Sequence, residues 1–150
     1  MRLLTISSST HQIDVRRGAS ISISGLSFKG STFNTTSLLS NEGTLSLINS
    51  TVSGNTVTGP YSEGGGISNY GTLTLSNSTI SGNTATSGGG IEILSVFNSQ
   101  VMLLYCTVYC NTAGAGGGIL NEDLTSGQVT IGEVVDCPNS RTVFVRNLEQ

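Results

Sequence analysis

Residues 64–91 read GGGISNYGTLTLSNSTISGNTATSGGGI, a stretch that begins and ends with the same four letters. Its inner part, GTLTLSNSTISGNT at residues 71–84, repeats the pattern GTLSLINSTVSGNT of residues 43–56 at an offset of 28 (71 − 43). A third, more divergent copy occupies residues 101–112, again 28 beyond residues 73–84 (101 − 73). A fixed period in this range is typical of stacked repeats, each of which buries its apolar side chains against its neighbours.

Glycine runs punctuate the repeats, with GGGI at residues 64–67, 88–91 and 116–119. The second and third runs are 28 apart (116 − 88), but the first and second are only 24 apart (88 − 64). The difference predicts a four-residue loop insertion around residues 60–63. The glycines themselves permit a positive φ and a close approach between coils.

The local pattern within each repeat is that of β-strands. Leu73 and Leu75 alternate with small polar residues, β-branched residues fill the elements, and Gly and Asn fill the corners. Stacked coils pair each short strand with its counterparts about 4.8 Å above and below. The sequence therefore predicts an all-β solenoid of parallel sheets, about five coils long, with a repeat near 28 residues. We expect one domain over residues 1–150, made of an N-terminal segment 1–17, coils 18–140 and a C-terminal tail or cap 141–150, as a fragment of a longer protein.

Residues at equivalent positions are predicted to stack as ladders inside this solenoid. Each inward residue is expected to stack on its equivalent in the coil before it, which gives aliphatic ladders. Coil by coil, the inward residues are Leu45, Leu47, Val52 and Ile67; Leu73, Leu75, Ile80 and Ile91; Val101, Leu103, Val108 and Ile119; and Val129 and Ile131. Asn55, Asn83 and Asn111 recur at the same 28-residue offset (83 − 55, 111 − 83). Stacked Asn amides hydrogen-bond to one another and to turn backbone, so these three are predicted to form a structural ladder.

These motifs resemble the right-handed parallel β-helix proteins of the pectin-lyase-like superfamily. More narrowly, they are similar to the short repeats of polymorphic outer-membrane proteins and related bacterial surface passengers, which combine a GGA-plus-aliphatic motif with an F-x-x-N motif. Here the first motif is GGGI, and the second has Val or Ile in place of Phe at residues 52–55, 80–83 and 108–111, while Phe28 keeps the aromatic residue but lacks the Asn. The resemblance covers about residues 18–120. It implies a right-handed parallel β-helix and a secreted or cell-surface location.

Composition excludes several classes of function. The formal charge is −3 with six Lys and Arg residues, which provides no basic surface for nucleic acid. No apolar run approaches the roughly 20 residues of a membrane-spanning helix. The apolar start of residues 1–6 ends at Ser7 before a signal-peptide core forms, so we expect no export signal within this chain. On that expectation the chain is either a fragment of a longer exported protein or is not exported by that route.

Catalytic residues are not apparent. The acids are scattered through the chain, and only Glu122 and Asp123 are adjacent; they are interpreted as turn acids in solvent, with a cation or sugar site as the alternative. Glu92 is expected near Glu122, one coil further on. His11 stands alone and is interpreted as an exposed or packing residue. We therefore predict a protein that is not an enzyme and has no cofactor and no metal site.

The three cysteines, Cys106, Cys110 and Cys137, include no C-x-x-C pair. One interpretation makes them small buried residues, since Cys106 and Cys110 replace Ser78 and Gly82 of the previous repeat. The other is a disulfide between Cys110 and Cys137, which are 27 apart (137 − 110) and so lie on adjacent coils.

The fourth coil replaces four polar positions with large apolar or aromatic residues. These are Met102, Leu104, Tyr105 and Tyr109, which stand 28 beyond Thr74, Ser76, Asn77 and Ser81. Random drift of a decaying repeat would also produce this change. We expect an exposed patch that is an interaction site, covered in part by the apolar segment 142–145 or otherwise mediating self-association.

The function expected from these observations is a non-catalytic structural or adhesive scaffold of a secreted or cell-surface protein. Its expected partners are a host-cell or matrix surface or a polysaccharide, and not nucleic acid. The alternative is a carbohydrate-active β-helix, similar to polysaccharide lyases or hydrolases, as a fragment that lacks its catalytic residues.

Overall fold

Short parallel strands joined by tight turns make up the whole described structure. The computed structural model describes residues 4–6, 13–34, 37–94, 99–122, 128–131 and 143–145, and no helix occurs in these ranges. The strands are numbered in chain order and stack in three sheets that run along the axis of a parallel β-solenoid of about four turns. The predicted all-β solenoid of parallel sheets is confirmed, with about four turns where about five coils were expected. β-Branched and alternating residues favour strands, and the stacking of coils gives the strands their partners.

Each complete coil contributes one strand to each sheet. Sheet I contains β3 (Ser20–Ser24), β7 (Thr44–Ile48), β11 (Thr72–Ser76), β14 (Gln100–Leu104) and β17 (Gln128–Ile131). Sheet II contains β1 (Leu4–Ile6), β4 (Leu26–Lys29), β8 (Thr51–Ser53), β12 (Thr79–Ser81) and β15 (Thr107–Tyr109). Sheet III contains β2 (Ile13–Val15), β6 (Leu39–Asn41), β10 (Ile67–Asn69), β13 (Ile91–Ile93), β16 (Ile119–Asn121) and β18 (Val143–Val145). A short fourth pair joins β5 (Thr32–Phe33) to β9 (Thr56–Val57).

The register of the sheets follows the sequence repeat. Leu73 pairs with Leu45 on one side and with Val101 on the other, an offset of 28 in both directions (73 − 45, 101 − 73). The four-residue insertion is also confirmed. Isolated bridges join Thr56 to Thr84 and Glu63 to Ser87. The chain takes seven residues between the two bridges in one coil (63 − 56) but only three in the next (87 − 84), a difference of four.

The core is a set of aliphatic ladders between the sheets. Leu47, Leu75 and Leu103 lie in register and are fully buried. The other predicted inward residues of the second to fourth coils are buried as well, and Val129 is partly buried against them. Each such aliphatic side chain contributes about 1.5–3 kcal/mol through the removal of apolar surface from water.

The glycine runs serve two separate purposes. Gly88, the first of its run, has a φ of 56°, and a Cβ there would lie 2.5 Å from the Cβ of Glu92. The turn therefore folds back over the outer side of the strand that follows it. Gly89, the second of the run, faces the next coil, where a Cβ would lie 2.5 Å from the Gly117 carbonyl oxygen. Only glycine permits both contacts.

The predicted C-terminal cover of the fourth coil is wrong for the part of segment 142–145 that the structure describes. Strand β18 pairs with β16 in sheet III, with Val143 opposite Ile119. The segment thus has a repeat position, 24 beyond that of the previous coil (143 − 119). Its backbone extends sheet III because a parallel edge strand offers unpaired N–H and C=O groups to the next coil.

Candidate functional site

The three predicted ladder residues, Asn55, Asn83 and Asn111, lie together in consecutive coils, at the corner after sheet II, and all are buried. The Asn55 Nδ2 donates to Asn83 Oδ1 at 2.9 Å, and the Asn83 Nδ2 donates to Asn111 Oδ1 at 2.9 Å. The same amides also bind backbone carbonyls, since Asn83 Nδ2 donates to Val52 O at 3.0 Å and Asn111 Nδ2 to Ile80 O at 2.9 Å. Every one of these bonds therefore joins one coil to a neighbouring coil.

A second row of asparagines, which sequence reasoning missed, follows sheet III. Asn41 and Asn69 are fully buried, and Asn41 Nδ2 donates to Asn69 Oδ1 at 2.7 Å. Ile93 occupies the equivalent position in the third coil and Asn121 in the fourth. The signal was present in the sequence as a 28-residue offset (69 − 41), but Ile93 breaks the row.

The cysteines divide between two environments. Cys106 is free and buried, and its thiol bonds the Leu104 carbonyl at 3.3 Å, as the Ser78 hydroxyl bonds the Ser76 carbonyl one coil earlier. Burial raises the pKa of this thiol. Cys110 is disulfide-bonded and has a φ of 53°. Cys137, the partner suggested by the sequence, lies outside the described residues.

Glu92 is a buried carboxyl group on the outer side of sheet III, with 1% of its surface exposed. Its Oε2 accepts from the Gly64 N–H of the preceding coil at 2.8 Å, and its Oε1 accepts from the Ser87 hydroxyl at 2.8 Å. Burial raises the pKa of Glu92 to about 7, and the charges of Glu63 and Glu122 act in the same direction. Glu122 is therefore near enough for its charge to raise the pKa of Glu92, as expected, although the residue in register with Glu92 on the next strand is Leu120.

A shallow cleft of about 310 Å³ lies at the corner between sheets III and I. Its walls include Arg17, Glu42, Tyr70 and the hydroxyl residues Thr44 and Thr72. The Tyr70 hydroxyl donates to Glu63 Oε2 at 2.7 Å. Burial, this hydrogen bond and the surrounding carboxylates raise the pKa of Tyr70, so the phenol is a neutral hydrogen-bonding group at physiological pH.

The remaining acids of the described ranges form no cluster of the metal-binding kind. Within the described ranges, no group of three or more His, Cys, Asp or Glu side chains is placed to hold a metal ion. His11 and Asp123, weighed above as candidates, lie outside those ranges.

The fourth-coil patch is the surface formed by Met102, Leu104, Tyr105 and Tyr109. All four side chains are exposed, to 42%, 36%, 75% and 39% respectively. Met102 and Leu104 lie on sheet I, Tyr109 lies on sheet II, and Tyr105 occupies the corner between them with a φ of 54°. The equivalent corner residues Asn49 and Asn77 have the same left-handed backbone.

Comparison with protein-family models, with curated proteins and with solved structures finds no match to this chain. Among the described residues there is also no helix of the length and apolarity that crossing a membrane requires.

Proposed function

We propose that this chain is a non-catalytic structural or adhesive scaffold of a secreted or cell-surface protein, similar to the β-helical surface passengers that its motifs resemble. The observation that supports this proposal most is that its buried polar side chains form hydrogen bonds between coils. The amides of Asn55, Asn83 and Asn111 hydrogen-bond between neighbouring coils. The buried Glu92 carboxyl group accepts a hydrogen bond from the Gly64 N–H of the preceding coil. Groups engaged in this way hold a rod together rather than face a substrate.

The disulfide at Cys110 supports the proposed location. Disulfides persist in oxidising compartments and are rare where glutathione and thioredoxin keep thiols reduced. A disulfide-bonded Cys110 is therefore expected in a secreted or surface-exposed chain.

A second candidate function, carbohydrate recognition or turnover, is favoured by the corner cleft. Arg17, Glu42 and Tyr70 offer a mixture of donors and acceptors, and Thr44 and Thr72 add hydroxyl groups. Such a lining suits a polyhydroxylated ligand, because each hydroxyl of a sugar both donates and accepts. In the scaffold proposal the same cleft serves attachment to a glycan without cleaving it.

The test combines a cleavage assay with a binding assay. Purified chain is incubated with acidic and neutral polysaccharides, with and without calcium, and release of unsaturated or reducing ends is compared with a heat-inactivated sample. We expect no release above that control, together with retention of the folded chain on polysaccharide, host cells or matrix protein. Release of ends would favour the carbohydrate-active alternative, and failure to bind any of these surfaces would contradict the adhesive function.

A further inference from the structure

Among the described residues, charge is concentrated on the sheet III side of the solenoid. All five carboxylates in the described part of the chain lie in or beside sheet III: Asp14, Glu42, Glu63, Glu92 and Glu122. Arg16 and Arg17 directly follow β2 of the same sheet, and the Arg16 Nε lies 3.3 Å from Asp14 Oδ2. Lys29, on sheet II, is the remaining charged residue of the described ranges.

Sheet I, in contrast, presents an outer face without charge in its described side chains. Its strands alternate inward aliphatic residues with outward residues that carry hydroxyl or amide groups or are apolar. The outward polar residues are Ser20, Ser22, Ser24, Thr44, Ser46, Thr72, Thr74, Ser76, Gln100 and Thr130. Hydroxyl and amide groups both donate and accept hydrogen bonds, so this face is chemically complementary to a second copy of itself.

The fourth-coil patch lies across this neutral face. Met102 and Leu104 add two exposed apolar side chains to the outward columns of sheet I. The column of Leu104 already holds the half-buried Ile48, whereas that of Met102 is otherwise polar, and Thr130 continues it on the following strand. Tyr105 adds an aromatic ring at the edge of the face, 75% exposed and on a left-handed backbone that disfavours an aromatic residue. The left-handed backbone at Tyr105 therefore destabilises the monomer slightly, and the ring buries too little surface within the chain to offset this. Large exposed apolar groups of this kind mark contact surfaces.

We propose that sheet I, centred on Met102 and Leu104, is the interface through which two copies of this chain associate. A two-fold arrangement places the apolar residues of one copy against those of the other and matches hydroxyl columns with hydroxyl columns. It also turns both sheet III sides away from the contact, so the carboxylates of the described residues do not face one another across it.

The size of the face is that of a weak, transient contact. Five strands about 4.8 Å apart, each about five residues long, cover on the order of 400 Å². This area is below the roughly 800 Å² per partner of a standard stable interface, so the pairing is reversible and concentration-dependent. The proposal concerns self-association and does not rest on the adhesive function.

The test is sedimentation velocity of the full chain over about 1–500 μM, at low and high salt. We expect a reversible dimer whose dissociation constant does not rise at high salt, since the contact contains no ion pair. The double variant M102T/L104S installs the types of residue that the third coil carries at these positions, Thr74 and Ser76, so it keeps the fold. It should weaken dimerisation at least tenfold. Y61S, which removes an exposed ring from the inserted loop, is the matched control and should dimerise normally.

The reverse variant T74M/S76L, which extends the apolar patch onto the third coil, should dimerise more tightly. The proposal is overturned by a wild-type chain that stays monomeric throughout the range, by dimers that dissociate when salt is added, or by a double variant that dimerises as the wild type does. Should M102T/L104S lose its folded circular dichroism spectrum, T74M/S76L decides the matter: an unchanged dissociation constant contradicts the proposal.

Discussion

The side-chain oxygen of Asn83 accepts both the backbone and the side-chain N–H of Asn55, at 3.0 and 2.9 Å, while its own amide nitrogen donates to Asn111. One side chain thus connects three successive coils. Because these atoms are buried, water does not replace any bond that is lost. The stability of each coil therefore depends on the coils on both sides of it.

Replacing Asn83 with Ala should destabilise the chain by about 3 kcal/mol or more. The change leaves the buried amide of Asn55 and the buried carbonyl of Val52 without their present partners, and each unsatisfied group costs about 1–3 kcal/mol. Urea unfolding followed by circular dichroism measures the effect. Asn77→Gly is the control, since Asn77 is exposed with a φ of 48° that glycine adopts readily, and it should change stability by less than about 1 kcal/mol. Equal losses in the two variants would contradict a special role for the ladder.

Gly89→Ala should be among the most damaging single-methyl changes, at about 3 kcal/mol or more. The new Cβ would lie 2.5 Å from the Gly117 carbonyl oxygen and 2.6 Å from that of Thr112, so two coils would have to separate. Gly54→Ala is the matched change, because the nearest atom to its Cβ is 3.9 Å away and only the positive φ of 65° opposes it. That variant should lose about 1–2 kcal/mol. Thermal unfolding that ranks the pair in the opposite order would show that coil spacing is not limiting.

Glu92 should make the wild-type chain more stable at pH 5 than at pH 8. Its pKa rises from 4.5 to about 7 on folding, so the folded state binds the proton more tightly between these values. Stability therefore falls as pH rises through this window, by at most on the order of 3 kcal/mol. Glu92→Gln should remove most of this dependence, because it keeps the side-chain shape without titrating.

The control for charge alone is Glu42→Gln, which removes a carboxylate from an exposed site. Unfolding free energies of the three proteins at pH 5, 6, 7 and 8 separate the two effects. An E42Q slope like that of wild type, with a flat E92Q profile, is the expected pattern. An E92Q profile as steep as that of wild type would mean that another group causes the dependence.

Tyr105→Asn should stabilise the monomer by about 1 kcal/mol. Asn tolerates the left-handed backbone at a φ of 54°, and the Tyr ring gives up little burial because it is 75% exposed. Asn is already present, with the same left-handed backbone, at the equivalent positions 49 and 77 of the two preceding coils. The melting temperature at low protein concentration reports the change, and a decrease there would show that the ring makes a stabilising contact within the chain.

Most of the fold was predictable, because only a stack of coils buries all the apolar residues that recur with the sequence repeat. Leu75 at period two places its side chain inward, and the 28-residue offset fixes which residue lies above it. The pairing of Val143 with Ile119 was missed because the shorter offset of 24 is shared with only some coils. A difference of four residues in the length of one coil is enough to hide an equivalent position from a search at a fixed period.

The burial of Glu92 could not be predicted from the sequence. An isolated acid after a glycine run is typical of a solvated turn, and the same position holds Ser68 in the preceding coil. Its burial comes from the turn at Gly88, which folds back over the outer side of β13 and is visible only in three dimensions. The exposure of Met102 and Leu104, in contrast, follows directly from alternation, since their neighbours Val101 and Leu103 point inward.

Hydrogen exchange on Asn83→Ala, compared with wild type, tests most directly whether buried side-chain ladders couple the coils. Removing the amide should accelerate exchange in β8 and β15 of the adjacent coils as much as in β12 itself, because Asn83 bonds to both neighbours. The peptide containing Leu39–Asn41, on sheet III and away from this corner, should change least. Acceleration confined to the third coil, with β8 and β15 protected as in wild type, would contradict the coupling.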